Sequence, residues 1–190
     1  MPPSAELLAL LEYRMRAVAI GHIALRYSSS WEEAPSMKIY FGEMQVIEGK
    51  ATGFTNGAIE SAIIHCRALL EFLGLRTVAG SATTLREIGP RKPDDAGVEL
   101  IDGLARVTVA DALRHYPGSA VEAEAALAYV GYLANKGLAH TTTTFTKQDQ
   151  GSSLLDIAFR GVPTLVSNRF YIPLGIEPPA YEVKGRRRAA

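Results

Sequence analysis

Apolar residues spaced alternately three and four apart are the feature that most constrains the fold of this chain. They recur in three stretches, at about residues 4–27, 55–73 and 120–140. Such spacing puts the apolar side chains on one side of an α-helix, so each stretch predicts a long helix that must bury one face. The predicted buried stripes are Leu8, Leu11, Met15, Val18, His22 and Leu25, then Ile59, Ile63, Cys66, Leu70 and Leu73, then Ala123, Leu127, Val130, Ala134 and Leu138.

Capping residues support the limits of these helices. Ser4 follows two prolines and is a favoured N-cap, and Gly74 stands where the second helix should end. Ser119 and Glu122 are spaced as a capping box, which predicts the start of the third helix at about residue 120.

Two long connections separate the helices, and both are rich in residues that favour turns. In residues 31–54 a run of β-forming residues is interrupted by Gly42, which indicates a connection with at most one short strand. Residues 74–107 hold clusters of Gly, Pro, Ser and Thr, and predict a loop with a short helix near 94–104.

Together these patterns predict an all-α fold, an antiparallel helical bundle with long connections. One bundle domain should span residues 1–171. Residues 172–190 should form an extended, mobile basic tail, since 184–190 holds four basic residues and no acidic one.

The charge balance limits the function classes. The 190 residues include 20 Lys and Arg against 20 Asp and Glu, so the chain lacks the excess of cations with which proteins coat nucleic acid. The lone cysteine, Cys66, excludes an intrachain disulfide framework and a cysteine zinc cage. No apolar run reaches the roughly 18 residues of a membrane helix, and the N-terminus does not resemble a signal peptide. We therefore expect a cytoplasmic protein without a membrane partner.

Two motifs resemble a known family. One is a His-x-Arg-x-Leu-x-x-Phe helix that begins at His65, and the other is Asn-Lys-x-Leu-Ala-His from Asn135 to His140. Over about residues 55–145 the chain resembles uncharacterised bacterial helical proteins and, through them, the HEPN superfamily (higher eukaryotes and prokaryotes nucleotide-binding domain). The resemblance implies a four- or five-helix bundle that often dimerises. For many members it implies a metal-independent ribonuclease of a toxin or antiphage system.

The resemblance also implies a site. The family motif is an arginine, four to six intervening residues and then a histidine; His140 matches the histidine, and Asn135 stands at the arginine position. Histidine suits proton transfer near neutral pH, and a cation suits the phosphate. Lys136 lies one helical turn before His140, and Arg67 can supply a second cation from the neighbouring helix. The candidate catalytic residues are therefore His140, Lys136, Asn135 and Arg67, with no cofactor or metal.

Structural roles are the alternative for each candidate. His140 is placed as a helix C-cap, Arg67 is spaced for an ion pair with Glu71, and Asn135 suits a hydrogen bond between helices. His22 and His65 lie on or beside apolar stripes and are expected to be satisfied core residues, and Cys66 to be a small buried side chain.

Three functions are compatible with these residues. The first is an RNA-directed, HEPN-like protein, an active or degenerate ribonuclease whose partner is RNA. The second is a non-catalytic helical module or accessory subunit that pairs with a second copy or with another protein. The third is a nucleotide binder that stacks a base on aromatic residues of the first connection, namely Tyr27, Trp31, Tyr40 and Phe41.

Overall fold

A computed structural model describes residues 2–78, 83–114, 116, 118–138 and 151–180. These residues form five α-helices and four β-strands. The helices are α1 (Ala5–Ser28), α2 (Thr52–Leu73), α3 (Val109–Arg114), α4 (Ala120–Tyr132) and α5 (Gly151–Val166). The strands are β1 (Ser36–Phe41), β2 (Met44–Lys50), β3 (Leu75–Val78) and β4 (Thr84–Glu87). Within the described ranges, none of the helices combines the length and the apolar character that crossing a bilayer requires.

The first two helices pack side by side in opposite directions. Gly21 of α1 lies against Ala58 and Ala62 of α2, so closely that a Cβ at Gly21 would come within 2.3 Å of the Ala62 Cβ. Ser4 caps α1 as predicted, with its Oγ accepting a hydrogen bond from the Leu7 N–H at 3.2 Å. Gly74 ends α2 in the left-handed conformation, at φ 100°.

The predicted apolar stripes form the core. Val18, Cys66 and Val130 are fully buried, and they come from α1, α2 and α4. The remaining side of this core is closed by α5, whose Ala158, Val162 and Val166 are also fully buried. Helices α1 and α2 and the faces that they bury were therefore predicted correctly, and so was the third helix as far as Tyr132.

The prediction of an all-α fold is wrong, because the chain is mixed α/β with two antiparallel two-stranded sheets, β1–β2 and β3–β4. In the first sheet, Phe41 pairs with Met44, and Gly42 begins the two-residue turn between them at φ 63°. A glycine with positive φ is what such a hairpin turn requires, so Gly42 makes the hairpin possible and does not interrupt it. In the second sheet, Leu75 pairs with Glu87.

The second connection is held by charged groups as well as by buried apolar side chains such as Val98 and Val107. Arg91 donates to Glu99 at 2.8 Å, and its Nη2 donates to the carbonyl oxygens of Glu71 and Phe72 at 2.9 Å each. These carbonyls lie in the last turn of α2, where intrahelical donors run out, although the Glu71 carbonyl also accepts from the Gly74 N–H. Burial alone would raise the pKa of Glu99, but hydrogen bonds from Arg91 and Arg106 hold it at about 2. A short helix was predicted near residues 94–104. Of these residues, only Val98–Leu100 form a helical turn, and it is of the 3-10 type.

The helix predicted over 120–140 changes character before its end. The α-helical part stops at Tyr132, and a π-helical turn follows over Leu133–Gly137. The capping box predicted at its start is not formed, since Ser119 makes no side-chain cap bond. A second π-helical turn, Ser167–Tyr171, extends α5. Residues 181–190 of the predicted tail lie outside the described residues.

Candidate functional site

A polar cleft lies where the end of α2, strand β3 and the π-helical turn meet. Its volume is about 220 Å³. We call it the Arg67–Asn135 cleft, after the two candidate residues that it brings together. It is lined by Arg67, Leu70, Glu71, Leu75, Arg76, Thr77, Gly131 and Asn135.

The other two candidates stand apart from these. Lys136 is exposed, and it does not contribute to the lining that the described residues provide. His140 lies outside the described residues. The predicted pairing of Lys136 with His140 therefore stays a prediction, whereas the approach of Arg67 to Asn135 is a feature of the structure.

Arg67 is held by a carboxylate of its own helix. Its Nε donates to Glu71 Oε1 at 2.9 Å, which is the ion pair that their spacing predicts. Both side chains remain about two-fifths exposed, at 43% and 42%. Exposed pairs of this kind contribute about 0.2–1 kcal/mol, so the guanidinium can exchange Glu71 for an anionic ligand at small cost. A guanidinium has five N–H donors, and the bond to Glu71 uses one of them.

Gly131 lets the strand reach the helix. A Cβ at this position would lie 1.9 Å from the Thr77 Oγ1, so any larger residue would push β3 off α4. The Thr77 hydroxyl donates to the carbonyl oxygen of Ala128 at 3.4 Å, one turn earlier on α4. This contact brings Arg76 and Thr77 to the same cleft as Asn135.

The π-helical turn places Asn135. A π-turn adds a residue to the helical repeat and rotates the following side chains, and such turns occur frequently at functional sites. Here Asn135 is half-buried at the cleft, while Lys136 beside it is exposed. The sequence motif pointed to Asn135 and Arg67, but Glu71 entered only as the ion-pair partner of Arg67, and Arg76, Thr77 and Gly131 were missed. A glycine inside an apolar helix was the one available signal, since it often marks a close backbone approach.

The two described histidines lie elsewhere and each has a polar partner, as expected. The Nδ1 of His65 is 3.2 Å from a terminal nitrogen of Arg14, and burial and that guanidinium together lower the pKa of His65, so the neutral ring accepts the hydrogen bond. His22 Nε2 lies 2.7 Å from Asp156 Oδ1. No group of metal ligands occurs in the part of the chain that the structure describes.

Cys66 and the aromatic residues take no part in the cleft. Cys66 is fully buried, and burial raises the pKa of its thiol, which keeps it protonated. The aromatic side chains of the nucleotide-binding interpretation do not line the cleft. Tyr40 and Phe41 instead project from the β1–β2 hairpin, where they are 52% and 69% exposed.

A second cavity, of about 200 Å³, lies between α3, α4 and α5. Ala112, Leu127, Ile157 and Leu165 make most of its wall apolar. Arg160, the one cation among the described residues of its wall, is paired with Asp156 at 2.7 Å. It therefore offers less to an anionic ligand than the Arg67–Asn135 cleft does.

Comparison with protein-family models, with curated proteins and with solved structures finds no match to this chain. What the cleft can bind therefore follows from the chemistry of its own residues.

Proposed function

We propose that this protein binds single-stranded RNA by its sugar–phosphate backbone in the Arg67–Asn135 cleft, as a HEPN-like protein. The observation that carries the proposal is the meeting of Arg67 and Asn135, from two distant motifs, in one polar cleft beside Arg76. Two guanidinium groups suit a phosphate, because each donates parallel hydrogen bonds to its oxygens. The Asn135 amide and the Thr77 hydroxyl add groups of the kind that bond a ribose 2′-hydroxyl or a base edge.

The charge of the chain supports local rather than extended binding. With 20 basic and 20 acidic residues, the molecule has no net charge with which to follow a long stretch of phosphates. A cleft with two arginines contacts one or two phosphates. The affinity should therefore depend only weakly on salt. The logarithm of the association constant should fall with the logarithm of the salt concentration, with a slope of roughly −0.7 for each phosphate neutralised on a single strand.

Cleavage needs a group that the described cleft does not contain. Metal-independent cutting requires a proton acceptor for the 2′-hydroxyl and a donor for the leaving oxygen. No histidine stands among the described residues of the cleft, and His140 is the candidate for that role. In this proposal Arg67, Arg76 and Asn135 bind the backbone, and activity as a toxin or antiphage ribonuclease depends on His140.

The test is fluorescence anisotropy with a labelled single-stranded RNA at low salt. Arg67→Ala should weaken binding about 10-fold or more, as expected when a charge-assisted hydrogen bond is lost. Arg16→Ala is the matched control, because Arg16 forms the same type of exposed pair with Glu12, at 2.9 Å. Equal weakening by both variants, or no binding by the wild type, would exclude the cleft as an RNA site.

A second assay separates binding from cleavage. The wild type and His140→Ala are incubated with the same RNA in the presence of a metal chelator. Cutting by the wild type that His140→Ala abolishes, with binding retained, would establish the ribonuclease. Binding without cutting by either protein would leave the cleft as a binding site alone.

The second candidate function is an accessory subunit that binds another protein, and the β1–β2 hairpin favours it. Phe41, Met44 and Ile47 are 69%, 64% and 51% exposed, although large apolar side chains on a free hairpin give no stability to the fold. Replacing Phe41 and Met44 by Ser should leave the melting temperature unchanged. A large drop in melting temperature would mean that the hairpin is part of the core, and would remove this candidate.

A further inference from the structure

Helices α1 and α2 leave an apolar surface on the side away from the core. On α1 it consists of Leu10, Tyr13, Ala17, Ile20 and Tyr27, and on α2 of Phe54, Gly57, Ser61, Ile64 and Ala68. We call this surface the outer α1–α2 face. Its six large side chains are exposed, by 41% at Leu10, 61% at Tyr13, 40% at Ile20, 43% at Tyr27, 50% at Phe54 and 50% at Ile64.

Both helices carry this surface at the same spacing. The members on α2 follow each other at three, four, three and four residues, and those on α1 at three, four, three and seven. That spacing is the heptad pattern with which one helix packs against another. Since each helix already buries a separate stripe in the core, the chain carries a second helix-packing pattern that its own described fold does not use.

The two stripes form one continuous surface. Gly21 and Ala62 bring the helices into direct contact, and the outer stripe of α1 lies on the other side of Gly21 from its core stripe. The Tyr13 ring meets the His65 ring edge-on, with centroids 5.2 Å apart, and so bridges the helices. No member of the outer α1–α2 face is charged.

We propose that the outer α1–α2 face binds a second copy of this chain across a two-fold axis, so that two helix pairs form an intermolecular four-helix bundle. This inference does not rest on RNA binding. An apolar surface is complementary to itself, and the charged residues nearest to it on α1, Glu6 and Arg16, are of opposite sign, so a symmetric interface does not bring charges of one sign only together. The small side chains at Ala17, Gly57, Ser61 and Ala68 allow two helix pairs to approach closely.

The size of the surface is sufficient for a specific dimer. Its stripes run from Leu10 to Tyr27 on α1 and from Phe54 to Ala68 on α2, so they are about 26 Å and about 21 Å long, and two adjacent helices are roughly 20 Å wide. The face therefore covers roughly 470 Å² on each copy, which gives a total close to the about 1,000 Å² that a specific interface buries. The exposed hairpin leaves the molecule at the Tyr27 and Phe54 end of this face and can extend it.

A second copy fits better than the end of the same chain. Residues 184–190 carry four basic side chains, whereas the members of the outer α1–α2 face are uncharged and the α1 stripe is continued by a single acidic residue, Glu6. An apolar surface with heptad spacing is complementary to another apolar helix surface, and the identical pair provides one of the right length.

Sedimentation velocity between about 1 and 100 µM tests the proposal with the full chain. We expect a dimer for the wild type and a monomer for Ile20→Glu and for Ile64→Glu, because each change brings carboxylates into the buried face of both copies. The dissociation constant should rise at least 100-fold. Val121→Glu is the matched control, since Val121 is 78% exposed on α4, and it should remain a dimer. Circular dichroism establishes that the variants are folded.

Disulfide trapping gives a readout that does not depend on tolerating a buried charge. Ser61 lies at the middle of the α2 stripe, and in Ser61→Cys the two new thiols should meet near the two-fold axis and cross-link. The native Cys66 is fully buried and will not interfere. Ser119→Cys, on an exposed residue away from the face, should stay monomeric on a non-reducing gel.

Three results would overturn the proposal. One is a wild type that is monomeric throughout the concentration range. Another is a dimer that both Glu variants and Val121→Glu leave equally intact, which would place the interface elsewhere. The third is a monomer that dimerises only after residues 181–190 are removed, which would make the end of the chain the occupant of the face.

Discussion

Helix α2 is held at its middle and at its end by two different kinds of contact. At its middle, Gly21 of α1 allows backbone and small side chains to touch, and the contact is apolar. At its end, Arg91 binds two carbonyl oxygens of α2 and is itself fixed by Glu99. The apolar contact depends on shape and should be insensitive to pH, whereas the ionic one depends on charge and should fail in acid. The Arg67–Asn135 cleft begins beside the ionic contact, because Glu71 provides both a carbonyl to Arg91 and a carboxylate to Arg67.

The largest effect should come from removing the ionic contact. Arg91→Ala leaves Glu99 with one cation fewer and removes the Arg91 donor from the carbonyls of Phe72 and Glu71, of which Glu71 keeps the Gly74 N–H, so we expect a loss of about 3–4 kcal/mol in the free energy of unfolding. Urea unfolding at pH 7 measures it. Arg16→Ala removes an exposed pair and should cost less than about 1 kcal/mol. Similar losses for the two variants would mean that Arg91 does not hold α2.

Adding one methyl group to the apolar contact should have the next largest effect. In Gly21→Ala the new Cβ would lie 2.3 Å from the Ala62 Cβ and 2.7 Å from the Ala58 carbonyl oxygen, so α1 must move away from α2. We expect a loss of about 2–3 kcal/mol.

Gly161→Ala is the control for this change. Gly161 also lies in a helix, α5, but a Cβ there would meet nothing within 4 Å. Alanine should therefore stabilise α5 by about 0.5–1 kcal/mol, because it loses less backbone freedom on folding. Equal destabilisation by Gly161→Ala and Gly21→Ala would show that the loss at Gly21 does not come from its contact with α2.

Acid should separate the two contacts without disturbing the apolar one. The pKa of Glu99 is about 2 in the folded chain and near its usual value of 4.5 in the unfolded chain. Its contribution to stability is therefore present above pH 4.5 and is lost as the pH falls from there towards 2. Glu99→Gln should be less stable than the wild type at pH 7 and nearly equal to it at pH 2. A constant difference across this range would mean that the charge of Glu99 does not stabilise the fold.

The smallest effect on stability should be that of Arg67→Ala. Because Arg67 and Glu71 are both about two-fifths exposed, the loss should stay below about 1 kcal/mol. Thermal unfolding measures it on the same samples used for RNA binding. A large loss would make Arg67 a structural residue and would remove the basis for interpreting weaker RNA binding as a site effect.

Local patterns predicted the helices well because burial repeats along each of them. The stripe of α1 was correct through Leu11, Met15 and Val18, and a helix needs no distant residue to place them on one side. The β1–β2 hairpin was missed because its strands bury little. Strand β2 is exposed throughout, and β1 alternates only between exposed and partly buried positions. Gly42 was taken for an interruption of the strand, although it begins the turn.

The candidate site likewise contains residues that the sequence identified and residues that it did not. Arg67 and Asn135 were identifiable, because each belongs to a motif within a few residues of the chain. Arg76 and Thr77 were not identifiable, because β3 comes to the cleft only through its contact with Gly131 on another element. The π-helical turn also lay beyond prediction, since the spacing over residues 120–140 suits an uninterrupted α-helix.

The sequence by itself determined three amphipathic helices, the side of each that faces the core, and the Arg67–Glu71 pair, because all of these follow from the period of one helix. Only the tertiary structure decided how closely the elements approach one another. The contacts of Gly21 with Ala62 and of Gly131 with Thr77 join residues far apart in the chain, and no local period encodes such distances. The cleft depends on the contact of Gly131 with Thr77, and the contact of Gly21 with Ala62 brings the two outer apolar stripes of α1 and α2 side by side.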